Sequence, residues 1–197
     1  MQHVRTSKPK FEKKLLRAVL KGDPKMISLL LESGADVNAT IDSFELRKVS
    51  VLMCAARVVG VDVLKVLLRH GADVGARDSD GVTPLMYAMD AGSTNAYKKV
   101  RLLVEHGARV DVEDLNGVTA LALAVNTGRA RLVKFLLETE KAYAGHGNLD
   151  VFAALTRAVY SGHRKIVALL LPHSTIITES QLYDLLPAEV CESIRLR

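Results

Sequence analysis

A short glycine-led motif recurs along this chain of 197 residues at nearly constant spacing. Gly34-Ala35-Asp36-Val37 is followed by Gly71-Ala72-Asp73-Val74 and by Gly107-Ala108-Arg109-Val110, at intervals of 37 and 36 residues. Repetition with a period of about 20 to 50 residues is typical of solenoids, propellers and repeat arrays. The period therefore constrains the fold more than the composition does.

An apolar segment with helical spacing precedes each copy of the motif. Such segments occupy residues 26–31, 63–68 and 100–104, and residues 132–137 and 166–171 keep the pattern without the glycine. Apolar residues at these offsets lie on one wide face of a helix. Each repeat is therefore predicted to contain a helix that buries its leucine-rich face.

A second element lies upstream of each apolar helix. It reads Gly81-Val82-Thr83-Pro84-Leu85 in the third repeat and Gly117-Val118-Thr119-Ala120-Leu121 in the fourth. Thr83 is a predicted N-cap, with Pro84 at the first helical position, where its missing N–H costs nothing. Four glycines are then predicted to separate the paired helices: Gly22, Gly92, Gly128 and Gly162.

These residues resemble the ankyrin repeat. The resemblance implies an all-α solenoid of stacked antiparallel helix pairs with β-hairpin or loop fingers. Five repeats are expected at about 11–38, 46–75, 79–111, 115–141 and 149–174. A basic arm over residues 1–10 would precede this 11–174 domain. A C-terminal helical cap at 175–197 would follow it, beginning with a capping box of Thr178 and Gln181.

The sequence departs from the family pattern at several points. The family usually has histidine after Thr-Pro-Leu, and the matching positions here are Met53, Met86, Ala122 and Thr156. Insertions fall at residues 39–49, 93–97 and 140–148. Insertions in solenoids map to loops, which often carry function but also tolerate drift. We weigh these two interpretations equally.

Charge is concentrated at the N-terminal end. Of the net charge of +5, residues 1–25 contribute eight basic side chains against two acidic ones. A solvated terminus is the favoured interpretation, and contact with acidic protein, nucleic acid or an anionic membrane is the weaker one. The sequence shows neither a transmembrane span nor a signal peptide, and its two cysteines read as free thiols. We therefore expect a cytoplasmic or nuclear, monomeric protein.

No catalytic or metal-binding motif is recognisable, so we expect no enzymatic activity, no cofactor and no metal. Cys54 reads as a core or groove thiol. His70 and His106 precede turn glycines at a helix C-terminus, which indicates a structural role. The basic group Lys98, Lys99 and Arg101 lacks the aromatics and motifs typical of nucleic-acid binding.

The resemblance implies a concave surface made of first helices and finger tips. By register, the candidate partner-binding residues are Arg17, Lys21, Arg57, Val58, Arg77, Ser79, Asp80, Tyr87, Asp90, Glu113, Leu115, Asn116, Asn126, Arg157 and Tyr160. Tyrosine and arginine are enriched at binding hot spots, which favours Arg57, Tyr87, Arg157 and Tyr160. The other interpretation is that these are ordinary exposed side chains on a scaffold.

The sequence therefore predicts a protein-interaction adaptor that binds a partner polypeptide in the groove. The alternative is a targeting or regulatory ankyrin domain of a larger enzyme, a ubiquitin-ligase adaptor or a pathogen effector, with chemistry elsewhere. The ubiquitin-ligase interpretation would require a SOCS box at the C-terminus. The core of that box is Leu-x-x-x-Cys, in which leucine and cysteine are four residues apart. In this chain, Leu186 and Cys191 are five residues apart.

Overall fold

A computed structural model describes residues 9–41, 48–58, 60–90, 95–143 and 148–173. The chain forms two compact units. The first contains the described residues up to Arg109 together with Asp114–Asn116, and the second contains Val110–Glu113 and the described residues from Gly117 onward. None of the helices in the described ranges has the length and apolar character needed to span a bilayer. The predicted capping box, the residues 1–8 of the arm and parts of the three insertions lie outside the described residues.

The first unit consists of three helix pairs. They are α1 (Pro9–Lys21) with α2 (Pro24–Glu32), α3 (Val51–Val58) with α4 (Val61–Arg69), and α5 (Pro84–Tyr87) with α6 (Ala96–Glu105). Helix α1 packs on α3 and α3 on α5, while α2 packs on α4 and α4 on α6. The first helices thus form one layer and the second helices another. The leucine-rich faces are buried between them, with Leu15, Ile27, Leu64 and Leu103 fully enclosed.

Between the first two pairs lies a short antiparallel hairpin. Strand β1 (Thr40–Ile41) pairs with β2 (Val49–Ser50), with Thr40 opposite Ser50 and Ile41 opposite Val49. This hairpin is the finger that the resemblance implies at this position, and its strands are only two residues long.

The second unit contains α7 (Ala120–Asn126), α8 (Ala130–Tyr143), α9 (Asn148–Tyr160) and α10 (Arg164–Leu170), followed by a 3-10 turn at Leu171–His173. Helix α7 packs on α8 and α9, and α10 packs on α9 and α8. The arrangement repeats the pairing of the first unit.

The predicted helix starts are confirmed by their caps. The Thr83 hydroxyl accepts a hydrogen bond from the Met86 amide at 3.4 Å, with Pro84 at the first helical position. Thr119 does the same for Ala122 at 3.2 Å. One boundary differs from the prediction: α5 ends at Tyr87, and the amides of Met89 and Asp90 bond to carbonyls three residues earlier. Asp90 therefore lies in a tight turn rather than at the end of a longer helix.

The turn histidines have the structural role predicted for them. The Nδ1 atoms of His70 and His106 lie 2.9 Å from the carbonyl oxygens of Val66 and Leu102, four residues earlier in their helices. Each of these carbonyls also accepts a hydrogen bond from the backbone amide of the same histidine, at 3.2 Å. The imidazole thus adds a second contact to a carbonyl in the last turn of a second helix.

Alanine substitutions at two glycines with the same backbone angle distinguish the cost of conformational strain from the cost of steric crowding. Gly71 and Gly81 both have φ of +81°, but a Cβ on Gly71 would meet nothing within 4 Å. A Cβ on Gly81 would lie 3.1 Å from the Leu115 amide nitrogen and 3.3 Å from the Asp114 Cα. Gly71→Ala should lower the free energy of unfolding by about 1 kcal/mol, because only the left-handed conformation is penalised.

Gly81→Ala should cost about 1 to 2 kcal/mol more than Gly71→Ala, because the added methyl group also meets a backbone that cannot move aside freely. Chemical denaturation of both variants measures the difference. Equal destabilisation would contradict the close approach of the two turn segments.

Candidate partner-binding surface

Corresponding positions near the ends of the first helices carry side chains that the core does not use. In the first unit these positions hold Leu20, Arg57 and Asp90, and in the second unit they hold Asn126 and Tyr160. We call these register positions, together with Val58 next to Arg57, the inner row. Leu20, Arg57, Asn126 and Tyr160 are exposed, and Asp90 is half-buried. Their variation in chemistry contrasts with the uniformly apolar core positions beside them.

Within the first unit, the structure brings two inner-row residues together. The Arg57 Nε atom donates to Asp90 Oδ2 at 2.7 Å, linking the end of α3 to the turn after α5. Both side chains are substantially exposed, so the pair contributes little to stability. Its main effect is to hold two candidate binding residues in one place. Val58, the neighbour of Arg57, remains 58% exposed.

In the second unit, Arg157 and Asn126 are brought together. The Arg157 Nη1 atom donates to Asn126 Oδ1 at 3.0 Å, and both residues are exposed. Tyr160 lies at the end of the same helix, with 82% of its surface accessible. An exposed tyrosine of this kind offers a large apolar area with a polar tip.

Tyr87 differs from the prediction of a solvent-facing groove residue. Its side chain is half-buried, and its hydroxyl donates a hydrogen bond to Asp78 Oδ2 at 2.8 Å. Burial raises the pKa of this hydroxyl well above its ordinary value, and the hydrogen bond and negative charge of Asp78 raise it further. Tyr87 thus helps to fix the finger that precedes α5.

Asp78 organises that finger through its carboxylate. Oδ1 accepts from the amides of Asp80 and Val82 at 2.9 and 2.8 Å, while Oδ2 accepts from Tyr87. The carboxylate of Asp78 is occupied with local hydrogen bonds. It therefore shapes the surface more than it presents charge to a partner.

The remaining finger residues lie on two turns. In the first unit, the Leu115 amide donates to the Asp80 carbonyl at 2.8 Å, which joins the turn at 78–82 to the segment 114–116. Arg77, Ser79, Leu115 and Asn116 are exposed, and Asp80 is half-buried. Glu113, an exposed residue, belongs to the second unit. The α1 candidates Arg17 and Lys21 are also exposed.

One residue that matters to this surface was missed in the sequence. Lys99 is completely buried, and its Nζ atom donates to the carbonyl of Ala56 at 2.9 Å. That carbonyl is among the last four of α3, which have no intrahelical partner and form the negative end of the helix dipole. Burial lowers the pKa of the Lys99 ammonium group below its ordinary value. Lys99 thus anchors α6 to the end of α3 that carries Arg57 and Val58.

The position of Lys99 in the repeat could have shown this. Lys99 stands eight residues before the turn glycine Gly107, and Met26 and Val63 stand eight residues before Gly34 and Gly71. A lysine that replaces an apolar residue in this register is expected to be enclosed by the stack. The charge that Lys99 shares with Lys98 and Arg101 indicates a surface position, whereas its position in the repeat indicates burial.

The surface carries little that is suited to catalysis. Burial raises the pKa of the Cys54 thiol, although the nearby Arg57 charge lowers it in part, so the nucleophilic thiolate is disfavoured. No group of three or more potential metal ligands occurs in the described part of the chain. What the arrangement can do is bind: exposed apolar side chains lie beside polar pairs whose geometry is already set.

Comparison with known proteins adds a family and a set of partial relatives. The family model "Ankyrin repeats" matches in three overlapping copies, over residues 15–114, 52–148 and 95–181. The 2-5A-dependent ribonuclease of Mus musculus is 40% identical over 74 residues, which is 38% of this chain and 10% of that protein. The Homo sapiens 2-5A-dependent ribonuclease is 37% identical over 79 residues, or 40% of this chain and 10% of that protein. The matched segment thus spans about a tenth of each relative.

Proposed function

Because the chain belongs to the ankyrin-repeat family, we propose that it is a protein-interaction module whose exposed first-helix ends and finger turns bind a partner polypeptide. The family match across residues 15–181 supports protein binding in general. The observation that supports this particular surface is the exposure of Val58 and Tyr160 at the ends of first helices. Large apolar groups beside polar ones are the typical anchors of an interface.

The polar residues around these anchors favour binding of a specific partner over non-specific hydrophobic association. Arg57 is held by Asp90 in the first unit, and Arg157 by Asn126 in the second. A side chain that is already ordered loses less conformational entropy when it forms an interface. We therefore propose that, on the first unit, a partner bonds to Arg57 and packs against Val58. On the second unit, it bonds to Arg157 and packs against Tyr160.

Substitution of the two apolar anchors tests this surface. The double variant Val58→Asp, Tyr160→Ala should weaken partner binding by about tenfold or more, because hot-spot side chains each contribute over about 1 kcal/mol. The partner is first recovered by affinity purification with mass spectrometry, and its affinity is then measured by calorimetry. Thermal unfolding of the variant should match that of the wild type, since both side chains are exposed.

The matched control is Lys65→Ala, Lys134→Ala, which changes two exposed side chains on the second helices α4 and α8. These lysines form exposed pairs within their own helices, with Asp62 and Glu138. The control should bind as the wild type does. If the control variant and the anchor variant bind equally well, the partner does not use the inner row.

A second candidate is a targeting or regulatory part of a longer enzyme, with no catalytic role for this chain itself. It is supported by the relatives, whose names denote ribonucleases and of which the matched segment is about a tenth. A full-length transcript that continues into a nuclease domain would support this role. A transcript that ends near Arg197 would argue against it.

A further inference from the structure

The first helix pair exposes a position that the later pairs of the first unit bury. Eight residues before their turn glycines stand Met26 in α2, Val63 in α4 and Lys99 in α6. Val63 is 2% exposed and Lys99 is fully enclosed, whereas Met26 is 45% exposed. Leu29, one turn further along α2, is 57% exposed. We call Met26, Leu29 and the exposed Lys25 beside them the α2 face.

The fold shows what shape of partner fits such a face. Helix α4 packs on its own partner α3, on the following α6 and on the preceding α2. Helix α2 packs on its own partner α1 and on the following α4. The contact with a preceding second helix is therefore what distinguishes the buried Val63 from the exposed Met26. A helix is thus the kind of element that covers this register position.

Charge indicates the chemistry of that helix. The first pair exposes five basic side chains, at Lys13, Lys14, Arg17, Lys21 and Lys25. Its exposed acidic side chains are Asp23 and Glu32, and Asp23 is engaged as the N-cap of α2, where its carboxylate accepts from the Met26 amide at 3.0 Å. An exposed apolar strip on a helix pair whose exposed charges are mostly basic favours a partner with complementary negative charge.

We propose that the α2 face binds an acidic amphipathic helix of another protein. Met26 and Leu29 are three residues apart and so lie on one side of α2, where they can pack against apolar residues at helical spacing in the partner. Lys21 and Lys25 then face the acidic residues that flank the partner's apolar strip. This binding surface lies on α1 and α2 and is independent of the inner-row anchors Val58 and Tyr160.

A displayed library tests the proposal without knowledge of the natural partner. Peptides on a helical scaffold, with all surface positions randomised, are selected on the wild-type chain. They are counter-selected on the variant Met26→Glu, Leu29→Glu. Enriched peptides should have a negative net charge and apolar residues at helical spacing. They should bind the counter-selection variant about tenfold or more weakly, and Lys21→Glu, Lys25→Glu by a similar factor.

Two controls distinguish the surfaces and the partner classes. Leu115→Glu changes a finger leucine that is more exposed than Leu29, and Val58→Asp changes the inner row. Neither variant should affect binding of the selected peptides. The proposal is overturned if no peptide is enriched, or if the enriched peptides are basic or bind the counter-selection variant equally well. It is also overturned if Met26→Glu, Leu29→Glu abolishes binding to phosphatidylserine vesicles or self-association of the chain instead.

Discussion

Replacing Lys99 with alanine should lower the free energy of unfolding by about 2 to 4 kcal/mol, a large fraction of the stability of a small protein. The long aliphatic stem of this side chain is fully buried, so its removal leaves a cavity between α3 and α6. The substitution also removes the Nζ donor from the Ala56 carbonyl at the end of α3. Chemical denaturation followed by circular dichroism measures the loss.

Lys99→Met, by contrast, should not lower the free energy of unfolding. Methionine fills a similar volume and already stands at the corresponding position of the first pair, as Met26. Replacing a buried charge by an apolar side chain of similar size is often neutral or stabilising by about 1 kcal/mol or more. We therefore expect the methionine variant to be at least as stable as the wild type. A loss as large as that of the alanine variant would show that the hydrogen bond to Ala56 outweighs the cost of burying the ammonium group.

The pH dependence of this difference follows from the lowered pKa of Lys99. Between the folded pKa and the ordinary value of 10.5, the unfolded chain binds more protons than the folded chain. Stability therefore rises with pH across this interval, and the cost of burying the charge is fully present below it. The stability advantage of Lys99→Met over the wild type should shrink as the pH approaches 10.5. Using the difference between the two proteins cancels the titration of their other groups.

Asp78→Ala should destabilise the first unit by about 2 to 3 kcal/mol, because a single change removes the acceptor of three hydrogen bonds. The amides of Asp80 and Val82 and the hydroxyl of Tyr87 all donate to this carboxylate. Water can reach part of this turn, since the side chain of Asp78 is only half-buried, and this limits the loss. Thermal and chemical unfolding provide the measurement.

Two milder variants apportion the effect of Asp78. Tyr87→Phe removes only the hydroxyl bond and should cost about 1 kcal/mol. Asp78→Asn keeps an oxygen for the two amides and should likewise cost about 1 kcal/mol. If Asp78→Ala is no worse than Tyr87→Phe, the amide bonds within the turn do not contribute to stability.

The sequence was sufficient for the features that depend on local chemistry and period. Thr83 caps a first helix as predicted, Thr119 does so at the matching position of the next repeat, and His70 and His106 contact the carbonyls of the helical turn before them. These features could be predicted because each depends on residues within about one helical turn. The leucine-rich faces followed from a helical period that recurs in every repeat.

Features that depend on contacts beyond one helical turn were less predictable. Tyr87 was expected to face solvent, but Asp78, nine residues earlier, holds its hydroxyl. Lys99 bonds to Ala56 across 43 residues, and its charge alone suggested a surface position. The pairing of Arg57 with Asp90 likewise depends on how α3 packs on α5. Charge and residue type alone do not predict exposure, because packing against another part of the chain can bury or pair a side chain.

Amide chemical-shift mapping by NMR locates the partner on the chain residue by residue. The isotope-labelled chain is titrated with the purified partner recovered by affinity capture. The largest shifts should occur at Arg57 and Val58 in the first unit and at Arg157 and Tyr160 in the second, with little change on the exposed sides of α4 and α8. Large shifts on α4 and α8, with no shifts in the inner row, would show that the partner does not bind the ends of the first helices.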